Sequence, residues 1–289
     1  MILFVNILLL FLSIVLASFR NLLSKSISDH PFPDKSFFLL QAVIFFAGSV
    51  VLIPFGMTHV STTTLMLALI YGGLLIMAQW CYTAALKSGN LSLCATVYSL
   101  GFILPTMSGM LFYEEDVTIV KILGVILVIP AIVFSKSPSG DFGNKKQGLG
   151  YMIPLVGAML ASGGLGIMQK VQAKSAYVEE KGAFVLISFI VAAAVSLLLG
   201  IFAKGEKKIN KRPALGAAGI GVCFSVCNLL NTHLASQFDS AIFYPTLNIG
   251  MILLSLALSI MIFKEKFTRR HAFVLAFAFS GMILVNLPV

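Results

Sequence analysis

Tyr98 and Asn248 stand one hundred and fifty positions apart, each near the middle of a long apolar run, and each follows a partner one helical turn earlier, Cys94 and Tyr244. A phenol or a carboxamide at that depth in hydrocarbon is costly, so such groups turn towards a bundle interior or a wet cavity. Between them they offer a hydroxyl donor-acceptor, two amide donors and a carbonyl acceptor, which is the chemistry of recognising a small polar solute. Two further sets share a helical face at i, i+3, i+4 spacing: Gln79, Tyr82 and Thr83, and then Asn228, Asn231 and Thr232. These sets are 149 positions apart, one less than the spacing elsewhere, so they read as similar faces and not as matched residues. The candidate substrate contacts are therefore Tyr98, Asn248, Gln79, Tyr82, Asn228, Asn231 and Tyr244. A single Ser, Thr or Asn in a membrane helix more often bonds a neighbouring helix. For Tyr98 and Asn248 together, depth, bulk and a shared spacing favour a cavity.

Other reactive side chains carry less. Arg20 and Lys170, again one hundred and fifty apart, close two apolar runs and could face an anion from opposite sides. Snorkelling to the headgroups is the simpler expectation for both. Cys223 and Cys227 share a face, but no His, Asp or Glu lies beside them at ligand spacing. These two, with Cys81 and Cys94, are expected to pack as small hydrophobes, and neither metal nor cofactor is expected. Trp80 is expected to pack as well. His30 and His59 lie in links, while His233 and His271 lie at the ends of runs. With no nucleophile-base pair or paired carboxylates at depth, an enzyme is not expected.

The elements that position these residues follow from composition. Hydrophobic residues make up 58% of the 289, charged residues 11%, and the mean hydropathy is +0.99. Such a balance places the chain in lipid. Apolar runs cover residues 2–19, 37–55, 65–86, 91–112, 119–134, 149–168, 183–203, 214–234, 241–263 and 272–287. Most have the roughly 17–25 residues a spanning helix needs, and backbone polar groups without water force them to be helical. The links at 21–36, 135–148, 169–182 and 204–213 are far shorter than the roughly 50 residues of an independent domain. The first run lacks the basic start and small-residue cleavage site of a secretory signal and reads as a retained helix.

The runs repeat. Residues 95–118 recur at 245–268, with Thr96, Glu115 and Thr118 opposite Thr246, Glu265 and Thr268. This predicts two similar halves, 1–135 and 149–289, joined by the Ser-, Gly- and Lys-bearing link 136–148. Five helices per half is an odd number, so like-folded halves enter the membrane with opposite orientation, the arrangement that permits alternating access. The expected fold is all-α integral membrane, ten transmembrane helices in two inverted-topology five-helix repeats. Close contacts between helices are expected at Gly72, Gly73, Gly163, Gly164, Gly166, Gly216, Gly219 and Gly221.

The net charge of +9 suggests a nucleic-acid surface until the cations are placed. Sixteen of the 20 Lys and Arg fall on one side of the ten-helix arrangement and four, Lys121, Lys170, Lys174 and Lys181, on the other. That is a positive-inside pattern, with the richer side cytoplasmic, both termini outside and anionic lipid as the partner of the basic links. No nucleic-acid partner is expected, and a monomer in the plasma membrane suffices.

Tyr82-Thr83-Ala84-Ala85-Leu86-Lys87, Pro105, the Glu115–Thr118 link and Gly124 together resemble the EamA-type members of the drug/metabolite transporter superfamily. The second half is similar but weaker, keeping Glu265, Thr268 and Gly281, with Ser255 opposite Pro105 and Pro245 at a new place. The resemblance covers nearly the whole chain and implies a carrier of a small polar metabolite, amino-acid-like or another small organic solute, without specifying which. The small four-helix relatives that exchange protons for cationic drugs need a carboxylate in the first helix. Residues 2–19 offer only Asn6, Ser13 and Ser18 there, and Glu114, Glu115, Asp116, Asp239 and Glu265 all lie at helix ends. Transport indifferent to a proton gradient is therefore expected. A non-transporting receptor or assembly factor with the same fold is the alternative.

Overall fold

A computed structural model describes residues 2–28, 35–56, 59–88, 91–113, 118–134, 149–205, 211–264 and 269–287. The charged links around Glu115 and Glu265, Thr268, His30, and the link 136–148 that divides the two expected halves lie outside the described residues. No strand occurs among the described residues. The helices are α1 (Ile2–Ile27), α2 (Lys35–Gly56), α3 (Thr62–Ser88), α4 (Leu91–Ser99), α5 (Ile103–Phe112), α6 (Ile119–Phe134) and α7 (Leu149–Lys174). They continue as α8 (Lys181–Phe202), α9 (Lys211–Gln237), α10 (Ser240–Phe263) and α11 (Arg269–Asn286).

Seven of these, α1, α2, α3, α7, α8, α9 and α10, are long and apolar enough to cross a membrane. Their outer faces carry Phe4, Phe11, Phe46, Leu198 and Phe202, all exposed, as helices solvated by hydrocarbon must. The protein is an all-α, multi-pass membrane protein. The run 91–112 is helical throughout but is divided by a 3-10 turn at Leu100–Phe102. Pro105 explains the break: its ring would collide with the carbonyl four residues back, on Gly101, so the backbone tightens there. Pro245 sits in the second turn of α10 and leaves that helix undivided.

α1 overturns one boundary. The polar stretch after Phe19 was expected to be a link, yet the helix runs on to Ile27. Ser13, Arg20, Asn21 and Ser24 form a stripe at helical spacing that is buried in the bundle, so the polar residues prolong the helix by finding partners inside it.

α2 packs on α8 and α9, α3 on α7 and α8, and α1 on α9 and α10. α6 lies along α11, while α4, the 3-10 turn and α5 bridge α7 and α10. Phe45, Phe189 and Phe224 fill the seam of α2, α8 and α9, with ring centroids 5.6–6.3 Å apart. The same seam needs Gly221, because a Cβ there would strike the carbonyl oxygen of Ile44 and lie 3.1 Å from the nitrogen of Gly48. Gly163 is equally constrained against Gly101 and Leu104, but Gly73 meets nothing within 4 Å and serves no close contact.

Candidate solute-binding cavity

α1, α4, α5, α7, α9 and α10 converge on a cavity of about 80 Å³. Its polar lining is Arg20, Tyr98, Ser162, Gln169, Asn228, Asn231, Tyr244 and Asn248. Five of the seven candidate contacts, Tyr98, Asn228, Asn231, Tyr244 and Asn248, thus meet around one space.

Gln79 and Tyr82 do not line it. The Gln79 amide donates to Ser24 Oγ at 3.3 Å and to Thr83 Oγ1 at 3.2 Å, so that face of α3 is occupied in holding α1. Tyr82 stands behind Tyr98 with ring centroids 4.9 Å apart. The two triads of similar spacing therefore differ in use, because α3 turns its polar face to α1 and α4 whereas α9 turns its own to the cavity. Thr83 and Thr232 both bond back to the carbonyl one turn earlier, at 2.8 Å, which satisfies a hydroxyl without any ligand. Cys94 is fully buried away from the cavity, while Cys227 lines it and donates to Ser13 O at 3.4 Å. Trp80 packs edge-on against Phe38, with centroids 5.6 Å apart.

The amides are placed by a buried network. Tyr71 donates to Asn228 Oδ1, Gln169 Nε2 donates to Tyr71 Oη at 2.7 Å, and Asn228 Nδ2 donates to Phe224 O at 2.7 Å. Asn231 Oδ1 accepts from Ser13 Oγ at 2.6 Å, tying α1 to α9. Tyr244 donates to Gly166 O at 2.7 Å, where α10 crosses α7. Asn248 Nδ2 donates to Tyr244 O at 2.6 Å, and the side chain lines the cavity. Tyr71 and Gln169 were absent from the expected contacts. Gln169 falls one position before the conspicuous Lys170, and Tyr71 lies two turns from the triad on α3, so neither stood out by spacing.

Arg20 corrects the snorkelling expectation. It lies seven residues inside the end of α1 and only 4% of it is exposed. Nη1 donates to Tyr98 Oη at 3.3 Å and Nη2 to Asn21 Oδ1 at 2.9 Å. The guanidinium carbon sits 4.6, 4.9 and 5.4 Å from the ring centroids of Phe224, Tyr98 and Tyr82. Lys170 is buried too, 1% exposed, with Nζ 6.0 Å from the Tyr113 ring centroid, and it does not line the cavity. Neither cation reaches for the headgroups, because the helices around them close over both. Elsewhere, His233 Nδ1 is 3.3 Å from Lys181 Nζ and exposed His59 is 3.9 Å from Glu180, both away from the cavity. Among the described residues no group of three or more His, Cys, Asp or Glu converges.

A bundle of apolar helices around an internal cavity with polar groups in its wall defines a multi-pass membrane protein. Known proteins place it further. The chain is 34% identical over 99 residues to the uncharacterized membrane protein YvaE of Bacillus subtilis, a match covering 33% of this chain and 79% of that protein. The chain belongs to the family of YvaE-like membrane proteins. An uncharacterized protein of Haemophilus influenzae is 25% identical over 190 residues, spanning 63% of this chain and 62% of that protein's length. One solved crystal structure superposes with a TM-score of 0.67 at 17% identity, covering 96% of this chain and 95% of that one, and shares the fold. No protein-family profile matches the chain.

Proposed function

We propose that the protein is a secondary carrier that moves a small polar metabolite across the cytoplasmic membrane by alternating access between two inverted halves of five spans each. The observation that carries this reading is the cavity: it holds a cluster of polar side chains in a mainly apolar wall, sits inside an apolar bundle, and draws its lining from 1–135 and from 149–289 alike. Repeat-built carriers bind substrate in that place. The helix pairings support the inverted halves, taking 91–112 as one span with its 3-10 turn. Exchanging first-half for second-half spans maps the α3–α7 contact onto α1–α9 and the α2–α9 contact onto α3–α8. The same exchange leaves α2–α8 and α6–α11 unchanged. Since 99 residues are 79% of YvaE, that protein is about 125 residues long, close to one half of this chain. The EamA-type resemblance of the motif residues points the same way. Tyr98, Asn228, Asn231, Tyr244 and Asn248 are the proposed substrate contacts, with Gln79 and Tyr82 supporting them from behind.

No carboxylate lines the cavity among the described residues, so coupling by exchange is expected. Counterflow in proteoliposomes preloaded with pooled small metabolites tests this. Labelled solute should enter against its gradient when unlabelled solute leaves, and an imposed pH step alone should not drive it. Absence of counterflow with every pool would sink the carrier reading. Uphill uptake driven by the pH step and abolished by a protonophore would sink exchange.

A further inference from the structure

Arg20 carries the only charge among the residues lining the cavity, and no Asp or Glu contacts it among the described residues. A guanidinium has five N–H donors. One reaches Tyr98 and one reaches Asn21, while Nε is buried without an acceptor. The rings of Phe224, Tyr98 and Tyr82 stabilise the cation through its face, but rings at the face do not satisfy N–H groups at the edge. A buried charge left this way is paired in the working state of a protein or is not retained. The rest of the lining suits the other end of an occupant. Asn248 lines the cavity with its amide bonded to Tyr244 O, so its oxygen is the group left to accept, and Asn231, whose oxygen accepts from Ser13, has amide donors to offer.

We infer that Arg20 binds the oxyanion group of a small, singly charged organic solute, with Asn231 and Asn248 holding its remaining polar groups. This assigns the substrate class and rests on the carrier reading above. A carboxylate matches the planar fork of the guanidinium in a bidentate pair, and a cavity of about 80 Å³ limits the solute to a few heavy atoms beyond that group. One negative charge leaves the loaded cavity neutral, whereas a neutral solute leaves the guanidinium edge unmet. Arg20 also explains the stripe on α1: Asn21, anchored on Ser255 at 3.3 Å, fixes the side of the fork that does not face Tyr98.

The test is thermal unfolding of the purified full chain with acetate, lactate and inorganic phosphate, acetate set against acetamide and lactate against lactamide. Oxyanions should raise the melting temperature and the amides should not. A response confined to phosphate would assign the oxyanion to a phosphate group, and a response to carboxylates would assign it to a carboxylate; both support the proposal. Arg20→Gln should weaken the response by at least about thirtyfold. Arg20→Lys, which keeps the charge but loses the fork, should fall between. Without ligand, Arg20→Gln should melt no lower than the wild type, because it removes an unpaired buried charge. Should Arg20→Gln not fold, the Arg20→Lys titration decides alone. Equal shifts from amides and acids, no shift from any oxyanion, or a wild-type oxyanion response in the variants would overturn the proposal. Arg20-dependent oxyanion binding with no counterflow would support this site and overturn the carrier reading instead. Counterflow of neutral solutes alone would do the reverse.

Discussion

Polar side chains in this bundle divide into those whose hydrogen bonds are complete and those that keep one group for the cavity. Asn228 stands nearest the first kind, with its oxygen and one amide proton committed to protein partners and one amide proton left for the cavity it lines. Asn248 belongs to the second, since its amide bonds its own helix and its oxygen is left to accept at the cavity the residue lines. Tyr98 does the same from α4, accepting from Arg20 while its own proton remains available. Tyr98→Phe and Asn248→Ala should each weaken solute binding by about 0.5–1.5 kcal/mol, up to roughly tenfold in affinity. The stability change should be smaller, because hydrogen bonds between membrane helices average about 0.6 kcal/mol. If both touch one solute, the double variant should depart from additivity in a ligand titration. Wild-type affinity in both single variants at normal expression would remove the pair from the site.

At the scale of the helix, two residue types decide where the backbone can go. Pro105 forces the 3-10 turn at Leu100–Phe102, which brings Phe102 and Pro105 to the cavity wall beside Tyr98. Glycine sets how close helices come, but not every glycine is used that way. Gly221→Ala would place a methyl group against the Ile44 carbonyl, with backbone on both sides and nothing flexible to yield. α2 and α9 would have to separate, at a cost of about 1–3 kcal/mol, and the melting temperature should drop. Gly73→Ala meets open space and gains up to about 1 kcal/mol of helix propensity. It should melt at or above the wild type. Equal behaviour of the two variants would show that the α2–α9 seam is looser than its geometry.

For the whole molecule, the distribution of cations predicts an orientation that labelling can check. Arg20 and Lys170 no longer count as link residues, since both lie inside helices and inside the bundle. One cation leaves each side of the comparison, and the bias stands. Lys204, exposed after α8, should face the cytoplasm, and Thr63, exposed at the start of α3, should face outward. In a chain freed of its four native cysteines, a membrane-impermeant maleimide added outside intact cells should label Thr63→Cys. Lys204→Cys should react only after permeabilisation. The opposite pattern would invert the molecule in the membrane.

Composition and hydropathy alone sufficed for the membrane class and the approximate helical runs, because lipid acts as a solvent on each stretch of chain separately. The spacing of one hundred and fifty likewise brought out Tyr98, Tyr244 and Asn248, since a duplicated position can be read along one dimension. Spacing also says which residues share a helical face. It does not say what that face meets. Gln79 and Asn228 occupy equivalent places in two triads of identical spacing, yet one holds α1 and the other lines the cavity. Arg20 shows the same boundary more sharply. Its burial depends on rings from α3, α4 and α9, brought to it from 62, 78 and 204 positions away. Only packing of distant helices decides whether a cation near the end of an apolar run reaches the headgroups or turns inward.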